Sequence, residues 1–409
     1  MYGFRGMHHR FEHTDKFFVQ EVHPPRSNIS YICIRHKYSK RYIMKRALIL
    51  LMALLVAGNA FAQGWGRRAT PNDTLRSTVV DGSSVIFQIY APQAEQVSVS
   101  GDLPWGAPIR FEKQENGVWK GRVAKIDAGI YRYQFTVDGV PVYDPKSELA
   151  GETRALLKVQ PTGDEFFAMK DVPHGAVAQR WYYSRTLKGM RRLHVWTPAG
   201  YEKSQAKLPV LYLIHGGGDN DASWPGVGAA GWILDNLLAE GKMVPMVVVM
   251  PNGTVTGVPN EVPPFAEDMV TDIIPFIESN YAVKTDKDSR AIAGLSMGGM
   301  ETMEVAFPHY DMFSWVWVMS SSFAPGQDPK AEANRLKVFE NIDKINKSFK
   351  LMVFSQGGQT DIAYQNCKNT LKVLDEAGLK YDYVENAQAG HSWGTWRADL
   401  KELAPKLFK

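Results

Sequence analysis

Residues 290–300 read RAIAGLSMGGM. Residues 291–295 form a short apolar run that fits a buried central strand, and Met303, Ala306 and Phe307 beyond it recur at helical spacing. Between the predicted strand and the predicted helix lies Gly294-Leu295-Ser296-Met297-Gly298, a G-x-S-x-G pattern. A serine there sits on a tight strand-to-helix turn. Glycines flank it two positions away because a β-carbon would clash where strand and helix approach. Its hydroxyl is then held out at the carboxyl end of the sheet. Alone, the pentapeptide could equally be a glycine-rich turn that holds a serine, so the surrounding chain has to decide.

From residue 176 onward strand and helix patterns alternate. Residues 180–187 and 191–197 read as paired strands, and 210–214, 246–250, 291–295, 315–319, 351–355 and 381–385 as short apolar or β-rich runs. Helical patterns separate several of them: Ile233, Leu234, Leu237 and Leu238 end at Gly241, and Met269, Ile273, Ile274 and Ile277 follow the acidic pair Glu267-Asp268, which suits a helix N-terminus. Such alternation predicts an α/β domain with a mostly parallel central sheet and helices on both faces. Ligands bind such sheets at the carboxyl ends of the strands.

Three further segments fall at those ends. His215-Gly216-Gly217-Gly218 follows the run 210–214, and its small residues let main-chain N–H groups face a cavity. In α/β-hydrolases a loop of this type supplies one oxyanion donor, and the residue after the nucleophile, here Met297, supplies the other. His215 is expected to brace that loop. Asp361 opens the loop after 351–355, and His391 follows the last strand in a glycine-flanked loop. The order Ser, Asp, His is that of α/β-hydrolases. A neutral imidazole takes the serine proton and returns it to the leaving alcohol, while a carboxylate fixes its tautomer. His391 is the expected base and Asp361 the expected acid. Glu385, at the end of the last strand, is the alternative to Asp361, and Asp375 lies within a helix pattern.

The start of the chain has another character. Residues 1–43 hold five histidines, mixed charge and no sustained period. Then Met44-Lys45-Arg46 is basic, residues 47–57 are apolar but too short to span a bilayer, and Ala60-Phe61-Ala62 offers small residues for cleavage. We read 44–62 as a secretory signal peptide, with translation starting at Met44 and 1–43 an unstructured upstream over-call. The expected location is secreted or periplasmic, with no membrane span after cleavage. Residues 1–43 carry eight Lys/Arg against three Asp/Glu, and Lys45 and Arg46 add two positive charges, so the +4 of the whole chain becomes −3 for the rest. That leaves no case for nucleic acid as a partner. Cys367 is alone in the expected mature chain and shares a helical face with Ala363, Leu371 and Leu374, which predicts a buried thiol.

Residues 71–159 read as all-β. Val85, Phe87 and Ile89 alternate with polar residues, as do Val97 and Val99, then Tyr131, Tyr133, Phe135 and Val137. Asn116-Gly117 and Asp138-Gly139 both suit two-residue hairpin turns. A small immunoglobulin-like antiparallel sandwich is predicted, joined by a linker at 160–174 to an α/β domain at 175–409. The runs FQIYAPQAEQVSVSGDLPWG (87–106), NGVWKG (116–121), GIYRYQFTVDG (129–139) and YDP (143–145) resemble carbohydrate-binding module family 48, the modules that precede many glycan-active enzymes. Trp119, Tyr131 and Tyr133 are expected in core or turn packing, and Trp105 is the candidate for stacking on a sugar.

The segments PVLYLIHGGG (209–218), FAEDMVTDIIPFIESNYAV (265–283), SRAIAGLSMGG (289–299), SQGGQTD (355–361) and AGHSW (389–393) resemble carbohydrate esterase family one, the feruloyl and acetyl-xylan esterases. That resemblance implies an α/β-hydrolase fold, with Ser296, Asp361 and His391 as the triad and Gly217 and Met297 as oxyanion donors. It implies a serine esterase acting on feruloylated or acetylated xylan of the plant cell wall; no residue spacing in the chain implies a cofactor or a metal. Acetyl-xylan esterase, siderophore trilactone esterase and a non-catalytic glycan-binding protein on a hydrolase scaffold are the alternatives. Trp224 and Trp393 are candidates to flank an aromatic acyl group, or to pack. Residues 252–265, rich in Gly, Pro and Val, form a long loop that could wall the pocket or simply connect.

Overall fold

The computed structural model describes residues 69–103, 109–144, 146–204, 206–255, 264–323, 338–386 and 389–409. The readings of 1–43 and 44–62, of Trp105 and of the middle of the 252–265 loop lie outside the described residues. Residues Thr70–Lys409 form one compact unit.

Its first part contains β1 (Thr78–Asp81), β2 (Ser84–Tyr90), β3 (Val97–Gly101), β4 (Phe111–Lys113), β5 (Val118–Val123), β6 (Gly129–Val137), β7 (Val140–Val142), β8 (Leu149–Ala150) and β9 (Ala155–Val159). One sheet runs β1-β2-β5-β4 and the other β3-β6-β9-β8, with β7 paired to β6; every pairing is antiparallel. Period-two alternation sends Val85 and Phe87 of one sheet and Tyr133 and Phe135 of the other into a shared core. Phe87 meets Tyr133 edge to face at 5.3 Å between ring centroids. Asp138-Gly139 is the predicted two-residue turn, joining Val137 to Val140 with positive φ at both residues. The Asn116-Gly117 turn differs from expectation. Gln114 N–H donates to Val118 O at 2.7 Å, so three residues lie in the loop and only Gly117 is left-handed.

The second part is an eight-stranded sheet of β10 (Ala176–Ser184), β11 (Gly189–Thr197), β12 (Val210–Ile214), β13 (Val247–Pro251), β14 (Arg290–Leu295), β15 (Trp315–Met319), β16 (Leu351–Gln356) and β17 (Asp382–Glu385), in the order β10-β11-β13-β12-β14-β15-β16-β17. β10 and β11 are antiparallel to each other and β11 to β13; the other pairs are parallel. The strand order reverses at β12, with β13 on one side and β14 on the other. The crevice beyond the carboxyl ends of β12 and β14 is therefore where a ligand site belongs.

Around the sheet lie α1 (Ala230–Ala239), α2 (Pro264–Asp268), α3 (Ile274–Asn280), α4 (Met297–Ala306), α5 (Ile342–Ser348), α6 (Tyr364–Glu376) and α7 (Trp393–Leu403). Val210, Tyr212 and Ile214 of β12 pack with Ile273, Met303 and Leu371 on one face, and Leu211 and Leu213 pack with Ile233, Leu234 and Leu400 on the other. Both faces are buried, which is why these strands read as unbroken apolar runs. Cys367 belongs to the first core, and burial pushes its thiol up to about 11.

Glu267 stands in the first turn of a helix, but Asp268 does not start one. α2 begins at Pro264 and passes through a π turn, Met269–Ile273, into α3. Asp268 is buried and accepts the Tyr182 hydroxyl at 2.7 Å, while Asp272 accepts the Thr186 N–H at 3.0 Å. Tertiary hydrogen bonds, rather than a helix terminus, account for these carboxylates.

Ile130 and Leu156 of the sandwich and Phe167 of the 160–174 segment belong to the same core as α1 and α7. Asn236 donates to the carbonyls of Phe166 and Ala168 at 3.0 and 2.9 Å, and the Arg397 guanidinium lies 4.9 Å from the Phe167 ring centroid. The connecting segment is thus packed against the α/β part along its middle.

Candidate active site

Ser296 stands between β14 and α4 with φ 51° and ψ −116°. That strained geometry persists because the neighbours fix it. A β-carbon at Gly294 would lie 2.1 Å from Gly298 O, and one at Gly298 would lie 2.3 Å from His215 O. The flanking glycines let the chain close on itself beneath the serine. Gly298→Ala is expected to cost about 1–3 kcal/mol, read as a fall in Tm, because the clash is with backbone.

His391 Nε2 lies 3.1 Å from Ser296 Oγ, and His391 Nδ1 lies 2.7 Å from Asp361 Oδ1. Beside a carboxylate, Nδ1 carries the proton, which leaves the Nε2 lone pair facing the serine hydroxyl. Asp361 is 3 % exposed and also accepts from Gly357 N–H at 3.1 Å and Ala363 N–H at 2.8 Å. Burial pulls its carboxyl upward, but hydrogen bonds from His391, Ser320 and the Ala363 N–H outweigh it and hold the group below the usual carboxylate range. Three residues far apart in sequence are thereby joined in one hydrogen-bonded line. Glu385 instead accepts from the Tyr383 hydroxyl at 2.9 Å and is exposed, and Asp375 accepts from Tyr381 at 2.7 Å.

The glycine loop after β12 runs beside this line. A β-carbon at Gly216 would sit 3.3 Å from Ser296 Cβ, and one at Gly217 would sit 3.9 Å from Met297 Cβ. Neither the Gly217 nor the Met297 backbone N–H donates to an acceptor among the described residues. Met297 opens α4, where first-turn amides lack intrahelical partners. Two free donors beside a serine hydroxyl are what a developing oxyanion requires. His215 braces the loop: its Nδ1–H donates to Gly216 O at 2.8 Å and its Nε2 accepts from Gly253 N–H at 3.0 Å. Burial lowers its pKa and keeps the ring neutral. Gly218 takes the left-handed φ of 78°, which accounts for a glycine there.

A cavity of about 620 Å³ opens onto Ser296 and His391 and is lined by Gly217, Trp393, Trp396 and Arg397. That volume suits a small-molecule site. The two tryptophan candidates separate here. Trp393 lines the cavity, and its indole N–H has no acceptor among the described residues. Trp224 does not line it: it is 1 % exposed, its N–H donates to Ile214 O at 3.1 Å, and its ring backs Trp393 edge-on at 5.1 Å. Trp224 is therefore a packing residue, held inside by that main-chain bond. Trp396 was missed from sequence. It meets the His391 ring edge-on at 5.1 Å and donates to Ser320 Oγ at 3.1 Å.

Also missed as cavity residues were Asp102, Asp127, Tyr131 and Arg132, which line the same cavity from the sandwich. Tyr133 and Trp119 are core residues as expected, and Tyr131 packs against that core as expected while also reaching the cavity wall. For Arg132 the sequence signal was the even register of β6. Odd residues 131–137 face the sandwich core, whereas Ile130, on the even face, belongs to the α/β core. Among the described residues no group of three or more His, Cys, Asp or Glu side chains is arranged to hold a metal ion.

Behind the site, Asp399 of α7 is 2 % exposed and accepts from Ser355 Oγ at 2.8 Å, which in turn accepts the Trp317 indole N–H at 2.8 Å. Burial raises its carboxyl to about 7. The folded protein therefore binds this proton more tightly than the unfolded chain. Its contribution to stability is most favourable below the unfolded carboxylate range and is lost as pH rises to about 7. Asp399→Asn is expected to raise Tm over wild type by about 5 °C at pH 8, with the gap narrowing toward pH 4. Thermal melts across that range check it.

Comparison with known proteins agrees with this architecture. The esterase family model matches residues 184–407, and that of carbohydrate-binding module 48, the isoamylase N-terminal domain, matches 73–151. The chain is similar to an endo-1,4-beta-xylanase/feruloyl esterase of Xylanibacter ruminicola, 33 % identical over 347 residues that make up 79 % of this chain and 44 % of that protein. It is similar to a solved ferulic acid esterase at 26 % identity, covering 58 % of this chain and 98 % of that one with a TM-score of 0.50. The enterobactin esterase of Shigella flexneri covers 82 % of this chain and 97 % of its own with a TM-score of 0.56, but at 16 % identity it shows a shared fold alone. The chain spans less than half the length of the curated relatives it matches. With a family match over more than half its length and the sheet, elbow and glycine loop in place, the chain belongs to the esterase family and has the α/β-hydrolase fold, preceded by a module of the carbohydrate-binding 48 type.

Proposed function

We propose that this chain is an exported serine esterase that cleaves feruloyl esters on plant cell-wall polysaccharide through an acyl-enzyme. The observation that carries the reading is the hydrogen-bonded line Ser296–His391–Asp361 at the wall of a cavity. Ser296 Oγ gives its proton to His391 Nε2 and bonds to the ester carbonyl carbon. The carbonyl oxygen becomes an oxyanion facing the Gly217 and Met297 amides. On collapse the C–O bond to the sugar breaks, and the imidazolium proton passes to the departing sugar oxygen. Water then repeats the sequence on the acyl-enzyme: it gives a proton to His391, bonds to the carbonyl carbon and releases the acid, while the proton returns to Ser296. Asp361 holds the imidazole in its tautomer and stabilises the imidazolium.

For the substrate, support comes from the Xylanibacter ruminicola relative and the solved ferulic acid esterase, and from a cavity with tryptophan in its wall. The leader-like segment at 44–62 supports export. Methyl ferulate, acetylated xylan and p-nitrophenyl acetate should be compared side by side. Release of ferulate is expected. Hydrolysis of the acetyl esters without any release of ferulate would overturn the acyl preference and favour an acetyl-xylan esterase.

A further inference from the structure

β6 of the sandwich reaches the glycine loop of the esterase part. Arg132, on the outward register of β6, donates through Nε to Asp102 at 2.5 Å and through a second nitrogen to Asp219, the residue that follows Gly216-Gly217-Gly218. The Asp219 side chain is only 7 % exposed, so the pair is sheltered from screening. The next residues are held as well. Asn220 donates to Glu152 of the sandwich at 2.7 Å, and Asp221 receives Arg192 of β11 through two nitrogens at 2.7 and 2.9 Å. Arg192 also binds Glu152. On the other side, Arg397 of α7, the helix that starts two residues after His391, donates to Ile130 O of β6 at 3.4 Å and to Val227 O at 2.8 Å.

The three glycines have no side chains with which to fix themselves. A β-carbon at Gly217 would meet nothing closer than 3.9 Å, and one at Gly218 would meet nothing within 4 Å. Gly216 is packed against Leu295 and Ser296, so the position of Gly217 and Gly218 is set by Gly216 on one side and Asp219 on the other. Asp219 is held by an arginine that belongs to the sandwich.

We propose that Arg132 is a positioning residue for ester hydrolysis: through Asp219 it fixes the Gly217 amide, so the sandwich completes the oxyanion site even for an ester that carries no sugar. This rests on the reading of Gly217 as a donor to the oxyanion. A donor displaced by about 1 Å forfeits most of its effect on the barrier while ground-state binding changes little.

The test uses the full chain with methyl ferulate and with p-nitrophenyl acetate, neither of which carries a glycan. Arg132→Leu is expected to lower kcat by roughly 10- to 100-fold with KM within about twofold on the ester tested. Arg132→Lys should restore part of kcat. Asp219→Asn, nearly isosteric, should reproduce the loss, and the double variant Arg132→Leu/Asp219→Asn should lose no more than the greater single loss, because both break one link. If Arg132→Leu melts early, the Asp219→Asn variant alone decides the matter. A kcat that survives both substitutions, or losses that multiply in the double variant, would overturn the inference while leaving the hydrolase intact. A wild-type chain inert toward both esters would instead remove the hydrolase reading, and this inference with it.

Discussion

Ser296→Ala is expected to lower kcat for ester hydrolysis by about 10⁶-fold, to background, while the protein folds as before. The hydroxyl's structural role is small. It meets His391 Nε2 at 3.1 Å, and the turn around it is held through the Ser296 main chain, its N–H donating to Met319 O at 2.8 Å and its carbonyl accepting from Ser321 Oγ at 2.7 Å. Alanine keeps both main-chain bonds and loses only the contact with His391. Substrate affinity should persist, because the cavity wall is untouched. Steady-state kinetics, with Tm as the folding control, check the pair of outcomes.

Asp361→Asn is the second large effect, with an expected loss of about 10³- to 10⁴-fold in kcat. An amide in place of the carboxylate can donate to Nδ1 and stabilise the wrong tautomer, in which Nε2 carries the proton and cannot accept from serine. It also removes the negative charge that stabilises the imidazolium. Glu385→Gln should stay within about twofold of wild type, since that side chain is exposed and bonded to Tyr383. Near-normal turnover in Asp361→Asn together with a collapse in Glu385→Gln would transfer the acid's role to Glu385.

The parts of this fold that were legible in sequence are those fixed by local rules. Residues 210–214 and 315–319 match β12 and β15, because a strand buried on both faces must be apolar throughout. Ser296 and Asp361 each follow such a strand, and His391 follows the half-exposed edge strand β17, so the strand pattern also located the three residues that the sheet brings together. Boundaries were harder wherever tertiary bonds decided them. Asp268 looks like a helix-start charge until the Tyr182 hydroxyl is seen to require it. Trp224 and Trp393 look equivalent in sequence, and only the packing of one against the other tells which faces the cavity.

The part of the cavity built by the sandwich had no local signature. Arg132 and Asp219 lie 87 residues apart in sequence, in different sheets' surroundings, and nothing in either neighbourhood indicates the other. What β6 does show is Ile130 on the register that should be polar, and that residue lies in the α/β core. An apolar residue on the outward register of a sandwich strand is therefore a usable sign that the strand faces a partner surface within the chain.

The most direct measurement is stoichiometric labelling with a fluorophosphonate followed by peptide mapping, with residual ester hydrolysis read on the same samples. The account predicts one adduct per chain, on Ser296, with activity lost in proportion to labelling and no labelling of the Ser296→Ala variant. Full hydrolysis by a chain already modified at Ser296, or an adduct on another residue that tracks the loss of activity, would contradict it.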